Sequence, residues 1–159
     1  MIVHPIPPLY NEESEILILG SFPSVKSREQ SFFYGHPQNR FWKVLAAVFE
    51  NPTPISIQEK KEFLLKNKVA LWDVIASCEI EGSADNTIKN ARANDLSVIL
   101  EHCRIQKIFI NGSTAKKYYD RYLLGQTKME AELLPSTSPA NAAWSLERLI
   151  AHWKSALLN

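Results

Sequence analysis

The stretch Ile16-Leu17-Ile18-Leu19-Gly20-Ser21-Phe22-Pro23-Ser24 decides the fold. Its aliphatic run lacks the polar alternation of a half-exposed strand and is too short for a helix. It therefore reads as a strand covered on both faces, ending at Gly20-Ser21. Three further runs have the same form. Val69-Ala70-Leu71-Trp72 runs into Asp73-Val74-Ile75, Ile108-Phe109-Ile110 ends in Asn111-Gly112-Ser113, and Glu132-Leu133-Leu134 runs into Pro135-Ser136. Helical spacing lies between and after them. Phe41, Val44, Leu45 and Val48 repeat at i, i+3, i+4, i+7 behind Asn39 as a candidate N-cap. Ser56-Ile57-Gln58-Glu59 has the form of a capping box opening a helix through Leu65. Asn94 or Asp95 is placed to cap Leu96 to Cys103, and Ser113 to cap Ala115 to Leu123. Leu146, Leu149, Ile150, Trp153 and Leu157 form a last apolar stripe.

Strand then helix, four times over, predicts a three-layer α/β/α fold with a mainly parallel four-stranded central sheet. Residues 1–159 read as one domain, since domains commonly hold roughly 100–200 residues. In such sheets ligands bind beyond the carboxyl ends of the strands. All of those ends are polar or turn-forming here, so that edge of the sheet is the expected site.

Composition narrows the function by exclusion. The chain is 45% hydrophobic and 22% charged, which is ordinary for a globular protein. Eighteen basic and 17 acidic residues leave a net charge of +1, so any nucleic-acid partner must be held by local features rather than by overall charge. No run approaches the roughly 18–20 apolar residues of a membrane span. The start, MIVHPIPPLYNEESE, lacks the basic and then apolar pattern of a signal peptide, and a cytoplasmic protein is expected. Cys78 and Cys103 are too few for a disulfide framework or an iron–sulfur cluster and read as reduced apolar residues. Histidines at positions 4, 36, 102 and 152 form no metal-ligand pattern. Neither G-x-x-x-x-G-K-[ST] nor G-x-G-x-x-G occurs, and G-x-S-x-G is missing. No metal and no cofactor is expected.

What remains is a set of three segments on strand ends: Gly20-Ser21-Phe22-Pro23-Ser24, Phe33-Tyr34-Gly35-His36-Pro37-Gln38-Asn39-Arg40-Phe41-Trp42, and Leu134-Pro135-Ser136-Thr137-Ser138-Pro139-Ala140-Asn141. In this order they resemble the uracil-DNA glycosylase superfamily over nearly the whole chain. The stretch His36-Pro37-Gln38-Asn39-Arg40-Phe41-Trp42-Lys43-Val44 is similar to the mismatch-specific uracil/thymine branch. The first motif, with Phe22 where most branches carry Asp or Asn, is similar instead to the hypoxanthine-DNA glycosylase branch.

The resemblance implies a monomeric, metal-free and cofactor-free DNA repair glycosylase. Its partner would be DNA containing deaminated bases, chiefly hypoxanthine, and its product an abasic site. Uracil or xanthine excision, or non-catalytic binding of damaged DNA, are the alternatives. The resemblance also implies that Asn39 is catalytic and that Tyr34 stacks on the extruded base. Ser136 stands where other branches place a His or Asn that bonds the leaving base, and Phe22 shapes the pocket. Ser24 and Ser138 would hold phosphates, with Arg40 in a basic rim beside Lys26, Arg28 and Lys43. Ala140 replaces the Leu that wedges the duplex elsewhere in the family, with Asn141 beside it to bond the orphaned partner.

The chemistry fits this reading. Cutting a base from deoxyribose passes through an oxocarbenium-like sugar and needs water and hydrogen bonds rather than a cofactor. An asparagine can hold water by its oxygen and donate by its nitrogen. Asp73 and Asn111 are candidates to read the base, the carboxylate matching the N1–H of hypoxanthine. His36 reads as a structural histidine beside Pro37, with protonation of a purine nitrogen as its alternative role.

Overall fold

The computed structural model describes residues 1–159. The chain opens with β1 (Ile2–Val3), then enters β2 (Ile16–Gly20), and continues through α1 (Val25–Gln30), α2 (Phe41–Val48) and α3 (Ile57–Lys66). Next come β3 (Val69–Asp73) and β4 (Ile75–Glu79), a 3₁₀ turn at Asp85–Thr87, β5 (Lys89–Ala93) and α4 (Ser97–Leu100). The last third holds β6 (Lys107–Asn111), α5 (Ser113–Tyr122), α6 (Leu124–Thr127), β7 (Ala131–Leu134) and α7 (Leu146–Leu157).

The strands expected from the sequence form one parallel sheet in the order β3-β2-β6-β7. Leu17, Ile18 and Leu19 of β2 are fully buried, as are Val69, Ala70 and Leu71 of β3, which is why these runs show no polar alternation. Helices cover both faces in the α/β/α arrangement. On one, α2 packs on α7, with Phe41 edge-on to Trp153 at 6.0 Å between ring centroids. Helix α5 packs on β6 and β7. The chain leaves β2 towards β3 on one side and later returns to β6 on the other. The topological switch point therefore lies between the ends of β2 and β6, where a crevice opens in such sheets.

A second sheet, antiparallel β1-β4-β5, was not expected. In sequence its central strand reads as part of β3, because Asp73-Val74-Ile75 continues the apolar run. The backbone kinks there instead. Val74 N–H donates to the Gly20 carbonyl at 2.8 Å and Ile75 N–H to the Ser21 carbonyl at 3.0 Å. Asn94, also expected as a helix cap, pins this junction. Its buried Nδ2 donates to the carbonyls of Asp73 at 2.9 Å and Ile75 at 3.3 Å.

The caps separate in the same way. Ser56 forms the full capping box with Glu59, and Asp95 Oδ1 accepts from the Ser97 N–H at 3.0 Å. Ser113 is the first residue of α5 rather than its cap. Gly112 fills that place at φ 97°, ψ 156°, a conformation that side-chain-bearing residues avoid. Arg40, not Asn39, occupies the cap position of α2. Both cysteines are free and buried in the core, and burial pushes their thiols up.

Candidate active site

The ends of β2, β3, β6 and β7 meet at one cleft of about 1030 Å³. That is near the upper end of the roughly 300–1,000 Å³ common for ligand pockets, with room for a base and part of its sugar. Gly20 to Ser24, Tyr34, Asn39, Asp73, Asn111 and Ser136 to Asn141 all line it. The expected site residues other than Arg40 are thus brought together, and their hydrogen bonds assign what each one offers.

Thr137, fully buried, is the hub, and the sequence reading passed over it. Its N–H donates to Asn111 Oδ1 at 3.0 Å, and its hydroxyl oxygen accepts from Asn111 Nδ2 at 3.0 Å. Its hydroxyl proton goes to Asn39 Oδ1 at 2.9 Å. Asn39 Oδ1 also accepts from the Phe41 N–H at 3.0 Å. A backbone N–H can only donate, so the amide orientation of Asn39 is fixed: oxygen inward, NH₂ left for whatever enters the cleft. The oxygen was expected to hold water. Both of its lone pairs are occupied, and Asn39 faces the cleft as a donor.

Tyr34 is held from three sides. Its ring stacks on Phe41 at 3.9 Å and 15°, its hydroxyl accepts from Asn111 Nδ2 at 3.2 Å, and its carbonyl accepts from Trp42 Nε1 at 3.2 Å. Its backbone has φ 51°, an uncommon left-handed conformation for an aromatic residue and one that clusters at functional sites. Burial first, then the Asp73 carboxylate, pushes its phenol well above the ordinary tyrosine range, so it stays protonated.

Asp73, at the end of β3, is buried and accepts from His4 Nε2 at 2.8 Å. His4 Nδ1 accepts from the Ile6 N–H at 3.2 Å, so the neutral ring carries its proton on Nε2 and directs it at Asp73. The histidine is wedged among Phe22, Phe33 and Trp72. The other carboxylate oxygen lies where Gly20 opens the way. A Cβ on Gly20 would stand 2.6 Å from Asp73 Oδ1 and 2.8 Å from the Tyr34 hydroxyl. Only a residue without a Cβ lets both groups reach the end of β2.

Arg40 corrects an expectation. It does not form part of a phosphate rim, because its guanidinium is turned onto the third motif. It donates to the carbonyls of Ser138 at 3.0 Å, Asn141 at 3.1 Å and Thr137 at 3.4 Å, and to that of Trp144. The His-Pro-x-Asn-Arg segment and the Pro-Ser-Thr-Ser-Pro segment are thus one assembly, with Asn39 and Thr137 at its centre.

The remaining expected residues fall as follows. Phe22 is buried against His4 and lies 5.7 Å from the Arg28 guanidinium. Ser136 Oγ accepts from the Ser138 N–H at 3.1 Å, which leaves its own proton free. Ser24 caps α1 by accepting from the Ser27 N–H at 3.1 Å, and Ser138 Oγ accepts from the Ala140 N–H at 3.1 Å. Asn141 Nδ2 donates to the Ser136 carbonyl at 3.0 Å, so its amide braces the loop. His36 Nδ1 accepts from the Gln38 N–H at 3.1 Å, at the cleft mouth.

The family model for the uracil DNA glycosylase superfamily matches residues 7–158. The chain belongs to that superfamily. Superfamily membership makes it a DNA glycosylase. Two relatives are similar along nearly their whole length. A hypoxanthine DNA glycosylase of Methanosarcina acetivorans is 37% identical over 150 residues, covering 93% of this chain and 94% of that protein. One of Methanosarcina barkeri is 34% identical over 152 residues, with 94% of each covered. The solution NMR structure of a candidate uracil DNA glycosylase from Methanosarcina acetivorans superposes with a TM-score of 0.81 at 36% identity. It covers 98% of this chain and 96% of that one.

Within this glycosylase fold, sequence reasoning missed four residues that shape the cleft: His4, Ser21, Thr137 and Asp85. Asp85 lines the cleft from the 3₁₀ turn, and both of its carboxylate oxygens accept from the Ser21 hydroxyl at 3.0 Å. Thr137 lies inside the quoted third motif, so its place was legible and its burial was not. His4 and Asp85 had no signal, lying in a proline-rich lead and a Gly-Ser-Ala-Asp-Asn loop. No group of three or more His, Cys, Asp or Glu side chains is placed to hold a metal ion, and no helix is long and apolar enough to cross a membrane.

Proposed function

We propose that this glycosylase removes hypoxanthine from DNA by hydrolysing the N-glycosidic bond of deoxyinosine, leaving an abasic site. Residues 1–159 act as a single domain and a monomer, in the cytoplasm, without metal or cofactor. The observation that carries the substrate is the near full-length likeness to two proteins named hypoxanthine DNA glycosylase. The polarity of the cleft suits a deaminated base, hypoxanthine or uracil alike. Asn39 offers N–H donors, and Asp73 Oδ1 offers an acceptor. Hypoxanthine carries an O6 acceptor beside an N1–H donor, so one edge of the base can meet both.

The deaminated nucleotide leaves the duplex and enters the cleft. Its base lies on the face of Tyr34 that Phe41 leaves open, a contact worth roughly 1–3 kcal/mol by the usual measure of base–aromatic stacking. Asp73, aimed by His4, accepts from N1–H. Asn39 donates to the base as its ring takes up the electron pair of the breaking bond, with the Ser136 hydroxyl as a second donor. Asn111 acts through others, holding the Tyr34 hydroxyl and Thr137. Ser24 and Ser138 meet the phosphates, and Asn141 keeps the loop that carries Ala140 at the rim.

The test is single-turnover cleavage of matched duplexes that differ only in holding inosine, uracil or xanthine, read as alkali-labile sites. Inosine is expected to be cut fastest. Phe22 and Ser136 give little help to a uracil anion, whereas a purine gains more from stacking and can also be assisted by protonation of its imidazole ring. Uracil excision equal to or faster than inosine excision would move the protein to a uracil glycosylase.

A further inference from the structure

A water that attacks C1′ needs an acceptor for its proton, and the acceptors supplied by the recognised motifs are engaged by other donors or assigned to the base. Asn39 Oδ1 holds two donors and Asn111 Oδ1 holds the Thr137 N–H. Asp73 Oδ2 holds His4, and its Oδ1, beside Gly20, is the acceptor proposed above for the base edge. Phe22, where a polar residue would stand in most branches, accepts nothing. One further carboxylate lines the cleft. The β4–β5 connection carries Asp85 over the end of β2, where the Ser21 hydroxyl bridges both its oxygens at 3.0 Å. Asp85 thereby stands beside the first motif although it lies 64 residues away in sequence.

We propose that Asp85 holds the attacking water and faces the developing sugar cation, with Ser21 as its positioning residue; this rests on the glycosylase reading above. The water oxygen gives a lone pair to C1′ as the bond from C1′ to the base nitrogen breaks, and that bond's electron pair leaves with the base. The water's proton passes to the Asp85 carboxylate. The base, held by Asn39, takes a proton from solvent, and Asp85 returns its own to solvent. The residue is open to water along the cleft. Burial of its carboxylate against the wall pushes its pKa above the ordinary aspartate value; the Ser21 hydrogen bond opposes this and Asp73 adds to it. A more basic carboxylate accepts a proton more readily.

Asp85→Asn is the test, because an amide keeps the shape and an oxygen for the Ser21 hydroxyl while losing charge and basicity. Its single-turnover rate on inosine DNA is expected to fall by about 10²-fold or more, with DNA affinity changed by less than about threefold. The wild-type rate should rise with pH along a limb that Asp85→Asn lacks. Asp73, Tyr34, Arg28 and Cys78 also face this region, and none of them is altered in the variant. Ser21→Ala should lower the rate less and move the limb to higher pH, since its hydrogen bond holds the Asp85 pKa down. Asp85→Asn or Ser21→Ala with the wild-type rate and pH profile would overturn the proposal and leave the hypoxanthine reading standing. Wild-type protein that leaves inosine DNA intact would instead remove the reading on which the proposal rests.

Discussion

Thr137→Val tests whether a buried hydroxyl sets the orientation of Asn39. The substitution keeps the branched shape and removes two hydrogen bonds, one from Asn111 Nδ2 at 3.0 Å and one to Asn39 Oδ1 at 2.9 Å. Neither amide is stranded, because Asn39 Oδ1 keeps the Phe41 N–H and Asn111 Nδ2 keeps the Tyr34 hydroxyl. The cost is therefore near the ordinary net worth of two bonds, about 2 kcal/mol, rather than the larger penalty of unpaired buried groups. At roughly 2–4 °C per kcal/mol for a chain of this size, Tm should fall by about 4–8 °C. Asn39, freed from one of its two restraints, should lose alignment with the departing base. A loss of about 1.4 kcal/mol in that contact lowers the single-turnover rate about tenfold. Thr137→Ser, which retains the hydroxyl, should keep most of the rate while losing about 1 kcal/mol of stability for a buried methyl. The assays are thermal unfolding and single-turnover cleavage of inosine DNA at a temperature where each variant is folded. Thr137→Val with a lowered Tm and an unchanged rate would refute the link between Thr137 and Asn39.

Asn39→Asp replaces the donor half of the amide with an acceptor, so it should be as slow as Asn39→Ala, each down about 10²-fold or more while DNA binding persists. An Asn39→Asp enzyme near the wild-type rate would mean that the residue works as an acceptor after all. Gly20→Ala puts a Cβ 2.6 Å from Asp73 Oδ1 and 2.8 Å from the Tyr34 hydroxyl, so both must shift, at about 1–3 kcal/mol of stability and with loss of activity. Full activity in that variant would show that neither group needs its place. Treatment with a chelator should leave the rate unchanged; loss of activity restored by a divalent ion would contradict a metal-free reaction.

The local sequence was enough for the parallel sheet and for the position of the cleft. Leu17, Ile18 and Leu19 are apolar without alternation because helices cover both sides of β2, and that condition is written residue by residue. The order of polar segments on strand ends was legible for the same reason, since a strand, its turn and the next residue are neighbours in the chain. Asn39, Tyr34 and Ser136 were found by motif, and they do line one cleft. What each side chain turns towards was decided only by tertiary structure. Asp73-Val74-Ile75 continues an apolar run, and only the hydrogen bonds to Gly20 and Ser21 show that the backbone leaves one sheet for another there. Arg40 reads as a free cation in a basic stretch, but the carbonyls that capture it lie about a hundred residues away. Asn39 reads equally as donor or acceptor until Thr137, 98 residues on, takes up its oxygen. His4 and Asp85 show no periodicity or motif, because their roles arise from the approach of β3 and of a turn between two strands of the second sheet. Apolar patterning acts through near neighbours and is recorded in sequence; the direction of a hydrogen bond depends on whichever distant partner folding brings within 3 Å.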